Sequence, residues 1–266
     1  MSLIHPSAQI SPKAQIGKNV RIGMGAIVEE GCVIGDETEI RPHAIISGGA
    51  QIGTHNQIGF GAIIGAEPQD LAFKNVPSKA VIGDHNIIRE YVTIHRGTKE
   101  NTETKVGSHC YIMTGAHLAH NCLVGDRVII VNNVLLAGYV EVQDGAFLGG
   151  GSAVHQFVRI GAHSIMRGQT RIGRDLPPFF MAVDTNQVSG INRVGLKRSG
   201  FTPDKRRNIQ SAYKLLYRSG KNVSQALDLI ADTLKGDEID LLVNFIRSTK
   251  RGICMESRAL DPEVDI

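Results

Sequence analysis

The chain predicts a mainly β fold, a left-handed parallel β-helix built on hexapeptide repeats and followed by a C-terminal α-helical domain. Three observations carry the prediction: an aliphatic residue at every sixth position from Ile4 to Ile172, a glycine after it in many units, and a change of period after Pro177 and Pro178.

The register runs without a gap from Ile4 through Ile10, Ile16, Ile22, Val28 and Ile34 to Ile64, resumes at Ile82, Ile88 and Ile94, and continues from Val106 to Ile172. The steps across its two breaks, 18 residues from Ile64 to Ile82 and 12 from Ile94 to Val106, are multiples of six, so the phase survives both. A six-residue unit cannot bury its own apolar side and gains a core only by stacking on its neighbours. A helical period of 3.6 loses this phase, and an alternating strand shows period two. Glycine at the second position (Gly17, Gly35, Gly53, Gly107, Gly125) suits a corner that needs close packing or unusual backbone angles, and a small or β-branched fifth residue (Ala26, Ala62, Ala116, Val128) fits a narrow interior. Three units make a triangular coil of 18 residues, so residues 18 apart are expected to stack about 4.8 Å apart.

Pro177 and Pro178 are expected to end the ladder. Thr202 before Pro203 reads as an N-cap with proline in the first turn of a helix that runs through Tyr217 to Gly220. Asn222 with Gln225 reads as a capping box ahead of the stripe Val223, Ala226, Leu227, Ile230 and Leu234. A third helix starts near Glu238, with Leu242, Phe245 and Ile246 on one side. The expected division is a β-helix over residues 1–190 and a helical domain over 191–266, with the last ten residues frayed.

The chain shows neither a basic-apolar leader nor an apolar run of the roughly 18 residues that span a bilayer, so the expectation is a cytoplasmic protein that does not cross a membrane. Cys32, Cys110, Cys122 and Cys254 lie far apart without a CxxC pair and read as free thiols in a reducing compartment. A net charge of +3 gives no ground for nucleic-acid binding. Its distribution is uneven: Lys197, Arg198, Lys205, Arg206, Arg207, Lys214, Arg218, Lys221, Lys250 and Arg251 follow the repeat, either as a solvated helix face or as a platform for an acidic partner. Flat prism faces can close around a threefold axis, which predicts a homotrimer.

The two breaks, Ala66 to Ala80 with Gln69 and Asp70, and Arg96 to Lys105, are loops on a rigid scaffold, where function concentrates. In the segment TGAHLAHNCLVG, His117 and His120 flank the core Leu118. Eighteen residues beyond His120 stands Gly138 and eighteen further Gln156, so a histidine, a bare backbone amide and a side-chain amide fall in one column. An imidazole is a competent general base near neutral pH, and a glycine amide beside it can donate to an oxyanion. No metal is expected: His117, His120 and Cys122 do not converge in a zinc-ligand pattern, and no triple of histidines matches the γ-carbonic anhydrases of the same fold.

The stretches PQDL (68–71), IREYVTIHRGT (88–98), GAHLAHNC (115–122), NNVLLAG (132–138), AVHQF (153–157), INRVGLKRSGF (191–201) and AYKLLYRSGK (212–221) resemble the UDP-N-acetylglucosamine O-acyltransferases that begin lipid A synthesis in Gram-negative bacteria. The resemblance covers nearly the whole chain. It implies that His120 takes the proton from the sugar 3-hydroxyl as it attacks an acyl thioester, and that the Gly138 amide holds the oxyanion. It further implies that Gln69 and Asp70 reach in from a neighbouring subunit, and that His117, Gln156, Asn192 and Arg198 contact the UDP-sugar. The donor would be an (R)-3-hydroxyacyl chain on acyl carrier protein, an acidic partner, and no cofactor is implied. Gly168 falls where the family limits acyl length and leaves room for a longer chain.

Several positions depart from the family pattern. Asn121 replaces an Asp after the histidine, Tyr139 replaces a further His, and Val194, Ser199 and Ala72 replace polar or charged contacts. Asn121 and Tyr139 are counted with the substrate-binding set, and their departure raises the alternative of N-acylation of a 3-amino UDP-sugar. A hexapeptide acetyltransferase using acetyl-CoA and a non-catalytic β-helix trimer are the broader alternatives. The later N-acyltransferase of the same pathway carries a uridine-binding domain for which a repeat beginning at Ile4 leaves no room.

Overall fold

A computed structural model describes residues 3–256 and shows the left-handed parallel β-helix, closed at its C-terminal end by helices. Residues 257–266, the expected frayed end, lie outside the described residues. Short strands alternate among three parallel sheets, the faces of a triangular prism. The first face contains Ile58, Ile88, Ile112 and Ile130, the second Ile64, Ile94, Leu118 and Leu136, and the third Ile82, Val106, Val124 and Val142. We call the corners first (first face to second), second (second to third) and third (third to first).

The sixfold aliphatic residues form the core: from Ile22 to Ile172 every one is at most 4 % exposed. At the open N-terminal end Ile4 is 46 % exposed, because no coil lies below it. The fifth-position residues are buried as well, and where they are polar they are paired. Asn56 Nδ2 donates to the Gly83 carbonyl (2.8 Å), Asn86 N–H to Asn56 Oδ1 (2.9 Å), and Cys110 N–H to Asn86 Oδ1 (2.8 Å). This internal amide ladder leaves no buried polar group unmatched at that corner.

The second-position glycines owe their place to close approach. None of Gly17, Gly35, Gly53, Gly107 and Gly125 has positive φ, yet a Cβ on Gly35 would stand 2.5 Å from the Gly53 carbonyl carbon of the next coil. Left-handed backbone falls two residues later, at Asn19, His55, Asn121, Tyr139 and Phe157 among others. Asn adopts that region readily; aromatic residues do so at a cost.

The stacking interval of 18 residues holds before Ile64 and after Val106 and lengthens between them. Ile64 pairs with Ile94, and Ile94 with Leu118, intervals of 30 and 24 residues. The loops over 67–78 and 96–102 both leave the second face and rejoin the third, so each adds chain at the second corner without turning the prism. The ladder also outlasts the prolines: Phe180–Val183 stacks in parallel on Ile165–Met166, and Gln187–Ile191 folds back antiparallel on it. Pro178 sits at the third corner, packed against Gly161, where its missing N–H interrupts no ladder bond.

Four helices follow: α1 (Arg193–Arg198), α2 (Pro203–Arg218), α3 (Val223–Thr233) and α4 (Asp237–Arg247). Thr202 caps α2 and the Asn222–Gln225 capping box starts α3, as their sequence patterns require. The chain then returns to the sheet, Met255–Glu256 pairing with Gln187–Val188. Asp175, 1 % exposed, fastens the helices to the prism. It accepts from Arg159 Nε and Nη2 (2.9 and 2.8 Å) and from Thr249 Oγ1 (2.8 Å), while Arg159 Nη2 also donates to the Phe245 carbonyl (3.0 Å).

Candidate active site

The second corner gathers the polar chemistry. His120 and Asn121 follow the second-face strand His117–Leu118, Gly138 and Tyr139 follow Leu135–Leu136 one coil on, and Gln156 and Phe157 follow Ala153–Val154 above them. Gly138 packs against the His120 ring so closely that a Cβ on it would lie 2.6 Å from Nε2. Among the described residues the Gly138 N–H has no hydrogen-bond partner, while its carbonyl accepts from Phe157 N–H (3.1 Å) and the His120 carbonyl from Tyr139 N–H (3.0 Å). A free amide beside a free imidazole nitrogen is the arrangement that acyl transfer uses.

His120 is 8 % exposed, and its Nδ1 lies 3.1 Å from Asn121 Oδ1. That oxygen also accepts from the Thr98 N–H (3.1 Å) and hydroxyl (3.0 Å), and Thr98 Oγ1 lies 3.2 Å from the Tyr139 hydroxyl. Tyr139 meets the His120 ring edge-on at 5.4 Å and stacks on Phe157 at 5.0 Å. Thr98 comes from the second break, which therefore reaches directly into the corner.

Below these residues stand two further histidines. His117 bonds Thr93 Oγ1 (2.7 Å) through Nδ1 and meets His95 edge-on at 5.1 Å. Burial, helped by the charge of His95, lowers the His117 pKa to about 4, so the ring is neutral at pH 7. Burial also lowers His95, whose Nδ1 is held by the Glu67 carbonyl at the root of the first loop. His95 was not singled out by spacing, although it lies in the IREYVTIHRGT stretch; the break just after it hides its place in the column.

The remaining expected site residues do not meet His120 within one subunit. Gln69 is exposed, and Asp70 is engaged within its own loop, its Oδ1 accepting from Ala72 N–H (2.9 Å). Gly168 lies at the first corner, exposed and open, with only the Gly150 carbonyl (3.4 Å) near a placed Cβ. Asn192 and Arg198 lie by the third corner: Asn192 caps α1, accepting from Gly195 N–H (3.0 Å) and donating to the His163 carbonyl (2.8 Å), and Arg198 is exposed in the last turn of α1.

Beside the second corner Asn121, Tyr139, Phe157, Glu141, Lys250 and Arg251 line part of a cavity of about 380 Å³. Among the described residues no cluster of three His, Cys, Asp or Glu side chains is placed to hold a metal ion, and no helix is long and apolar enough to cross a membrane. All four cysteines are free and buried.

Residues 175–254 match the family model described as UDP N-acetylglucosamine O-acyltransferase, domain 2, and residues 103–138 match bacterial transferase hexapeptide (six repeats). The acyl-[acyl-carrier-protein]–UDP-N-acetylglucosamine O-acyltransferase of Burkholderia mallei is 43 % identical over 197 residues, 71 % of this chain and 75 % of that protein. The UDP-N-acetylglucosamine acyltransferase of Bacteroides fragilis superposes with a TM-score of 0.92 at 42 % identity, over 94 % of this chain and 99 % of that one. That of Francisella novicida gives 0.92 at 37 % identity, over 97 % and 95 %. Repeat, corner geometry and likeness along the chain agree, and the chain belongs to the UDP-N-acetylglucosamine O-acyltransferase family.

Proposed function

We propose that the protein transfers an (R)-3-hydroxyacyl chain from acyl carrier protein to the 3-hydroxyl of UDP-N-acetylglucosamine, the opening step of lipid A synthesis, in the cytoplasm. The observation that carries the chemistry is the contact of Gly138 with His120. His120 Nε2 takes the proton of the 3-hydroxyl as that oxygen attacks the thioester carbonyl, and the Gly138 N–H donates to the oxyanion that forms. When the intermediate collapses, the C–S bond breaks and the imidazolium returns its proton to the departing thiolate.

His117, Asn121, Tyr139 and Gln156 surround this corner and are assigned to sugar and uridine contacts. Gln69, Asp70, Gly168, Asn192 and Arg198 are assigned to the same substrates across a subunit boundary, since three corners of one prism cannot face one ligand. A homotrimer supplies that boundary. Its support is the pattern of outward side chains: Ile87, Tyr111, Ile129, Phe147 and Ile165 on the first face and Ile45, Ile63 and Leu135 on the second, against Lys105, Glu141 and Arg159 on the third. Two apolar faces meeting at one corner form a wedge suited to cyclic packing. The helices present Lys197, Arg198, Lys214, Lys221 and Lys250 to solvent for the acidic carrier, while Lys205, Arg207 and Arg218 are taken up by Asp237, Asp204 and Glu256. Beside Gly168 the open space admits a long acyl chain.

The neutral Asn121 beside His120 favours one second reading, N-acylation of the 3-amino analogue, because an amine is the stronger nucleophile and needs less help from a base. Turnover of purified protein with hydroxyacyl carrier protein against both UDP-sugars, and with acetyl-CoA as donor, decides among these. The O-acylation reading expects the hydroxyl sugar with the carrier-bound donor to turn over fastest; faster turnover of the amine moves the assignment to N-acylation. His120→Ala is expected to lower turnover by about 10²–10⁴-fold, and an unchanged rate would remove the corner from the chemistry.

A further inference from the structure

We infer that Thr98 and Asn121 are positioning residues that fix the proton of the His120 ring on Nδ1, so that Nε2 always faces the acceptor as a bare lone pair. The inference rests on the reading of His120 as the general base and adds how a chain without the family's aspartate prepares that base.

The geometry leaves little freedom. A carboxamide presents an oxygen on one side and an NH₂ on the other, and either could face a neighbouring imidazole. Here the Thr98 backbone N–H, which can only donate, lies 3.1 Å from the Asn121 side chain, so the group facing it is the oxygen. The same oxygen lies 3.1 Å from His120 Nδ1. Two acceptors cannot share that distance without a proton between them, so Nδ1 carries it and Nε2 does not. The Thr98 hydroxyl reinforces the choice: it donates to Asn121 Oδ1 at 3.0 Å and receives the Tyr139 hydroxyl proton at 3.2 Å, which makes a chain from Tyr139 through Thr98 and Asn121 to the ring. Asn121 is itself held by its backbone, which donates to Thr104 Oγ1 at 2.7 Å. A neutral acceptor oriented by a backbone amide performs the orienting part of a carboxylate's task; it leaves out the charge.

The chain of contacts also explains why the second break lies where it does. Thr98 reaches the corner because the loop over 96–102 leaves the second face one coil below His120 and rises toward it. The wrong tautomer points an N–H at the sugar hydroxyl and cannot accept its proton, a failure that leaves binding intact.

The test is the ¹⁵N shift pair of His120 in histidine-labelled protein, read beside steady-state kinetics. The parent is expected to show Nδ1 protonated and Nε2 bare. Asn121→Gly, which keeps the left-handed backbone, is expected to move the ring toward the Nε2-protonated form of free histidine and to lower kcat roughly 10–10²-fold with KM for the UDP-sugar nearly unchanged. Thr98→Val, which keeps the backbone amide and loses the hydroxyl, is expected to do the same by about 3–10-fold, and Asn121→Asp is expected to restore the parent tautomer. A parent ring protonated on Nε2, or an Asn121→Gly ring that stays protonated on Nδ1, overturns the inference. Full turnover by His120→Ala removes the general-base reading instead and leaves the tautomer result standing.

Discussion

Gly138 stands so near His120 that any side chain on it would fall on the imidazole: a Cβ there is 2.6 Å from Nε2, the nitrogen that faces the substrate. Glycine is demanded by this approach alone, since Gly138 is not among the positions of positive φ. Gly138→Ala is expected to lower kcat by about 10²-fold or more by displacing the ring, with little change in melting because the obstructing atoms belong to a side chain. Parent-like kcat would show that the ring has another productive position.

His117 sets a direction for stability against pH. Its pKa lies near 4 in the folded chain, chiefly through burial and then through His95, below the ordinary value of 6.5. Above pH 6.5 both folded and unfolded rings are neutral and the difference contributes nothing adverse. As pH falls from 6.5 through 4 the unfolded chain takes up a proton that the folded chain refuses, so stability drops across that window. His95, lowered in the same direction, adds to the fall. Calorimetric melting of the parent and His117→Gln between pH 7 and 4 is expected to show the shallower decline in the variant; parallel curves would count against a neutral buried ring.

The Arg159–Asp175 pair is buried enough for its loss to be felt throughout the molecule, with side chains 20 % and 1 % exposed. Asp175→Asn leaves Arg159 without its charge partner beneath α4, and destabilisation of roughly 3–5 kcal/mol is expected, or a melting temperature lower by roughly 10 °C. Urea unfolding measures it, and a midpoint equal to the parent's would show that the helices dock by apolar contact alone.

Thiol chemistry offers a probe of folding. Burial pushes Cys122 and Cys254 up to about 12 and Cys110 up to about 11, and raises Cys32 as well. Only thiolates react with aromatic disulfide reagents. Native protein at pH 8 is expected to release almost no chromophore, and denatured protein four equivalents; a fast-reacting thiol in the native state would locate a local opening.

The repeat was legible because one aliphatic position in six meets the same interior whatever surrounds it, and Ile22 through Ile172 are all in the core. The caps at Thr202 and Asn222 were legible for a similar reason, since each is a local bond between near neighbours. The hairpin after Pro178 was hidden because proline blocks a ladder only where an N–H is needed, and this one sits at a corner. Helix α1, six residues long, is too short to show a period. In the site, 18-residue counting reached the His120–Gly138 contact because no loop intervenes. The Thr98–Asn121 bond spans 23 residues through a loop whose path no period dictates. Gly168, 30 residues beyond Gly138, is off that column by count alone.

Position along this chain behaves like an angle as well as a height. Six residues inserted between His120 and Gly138 would carry everything beyond them a third of a revolution, leaving the base on one edge and its amide on another; eighteen would restore the edge and open an empty storey between them. The loops over 67–78 and 96–102 absorb twelve and six extra residues with no rotation, because each departs from and returns to a single edge. A variant of this enzyme can therefore grow or shrink freely at such an excursion, whereas the same change made within a coil dismantles the site in proportion to a rotation, with every local contact of the inserted segment still correct.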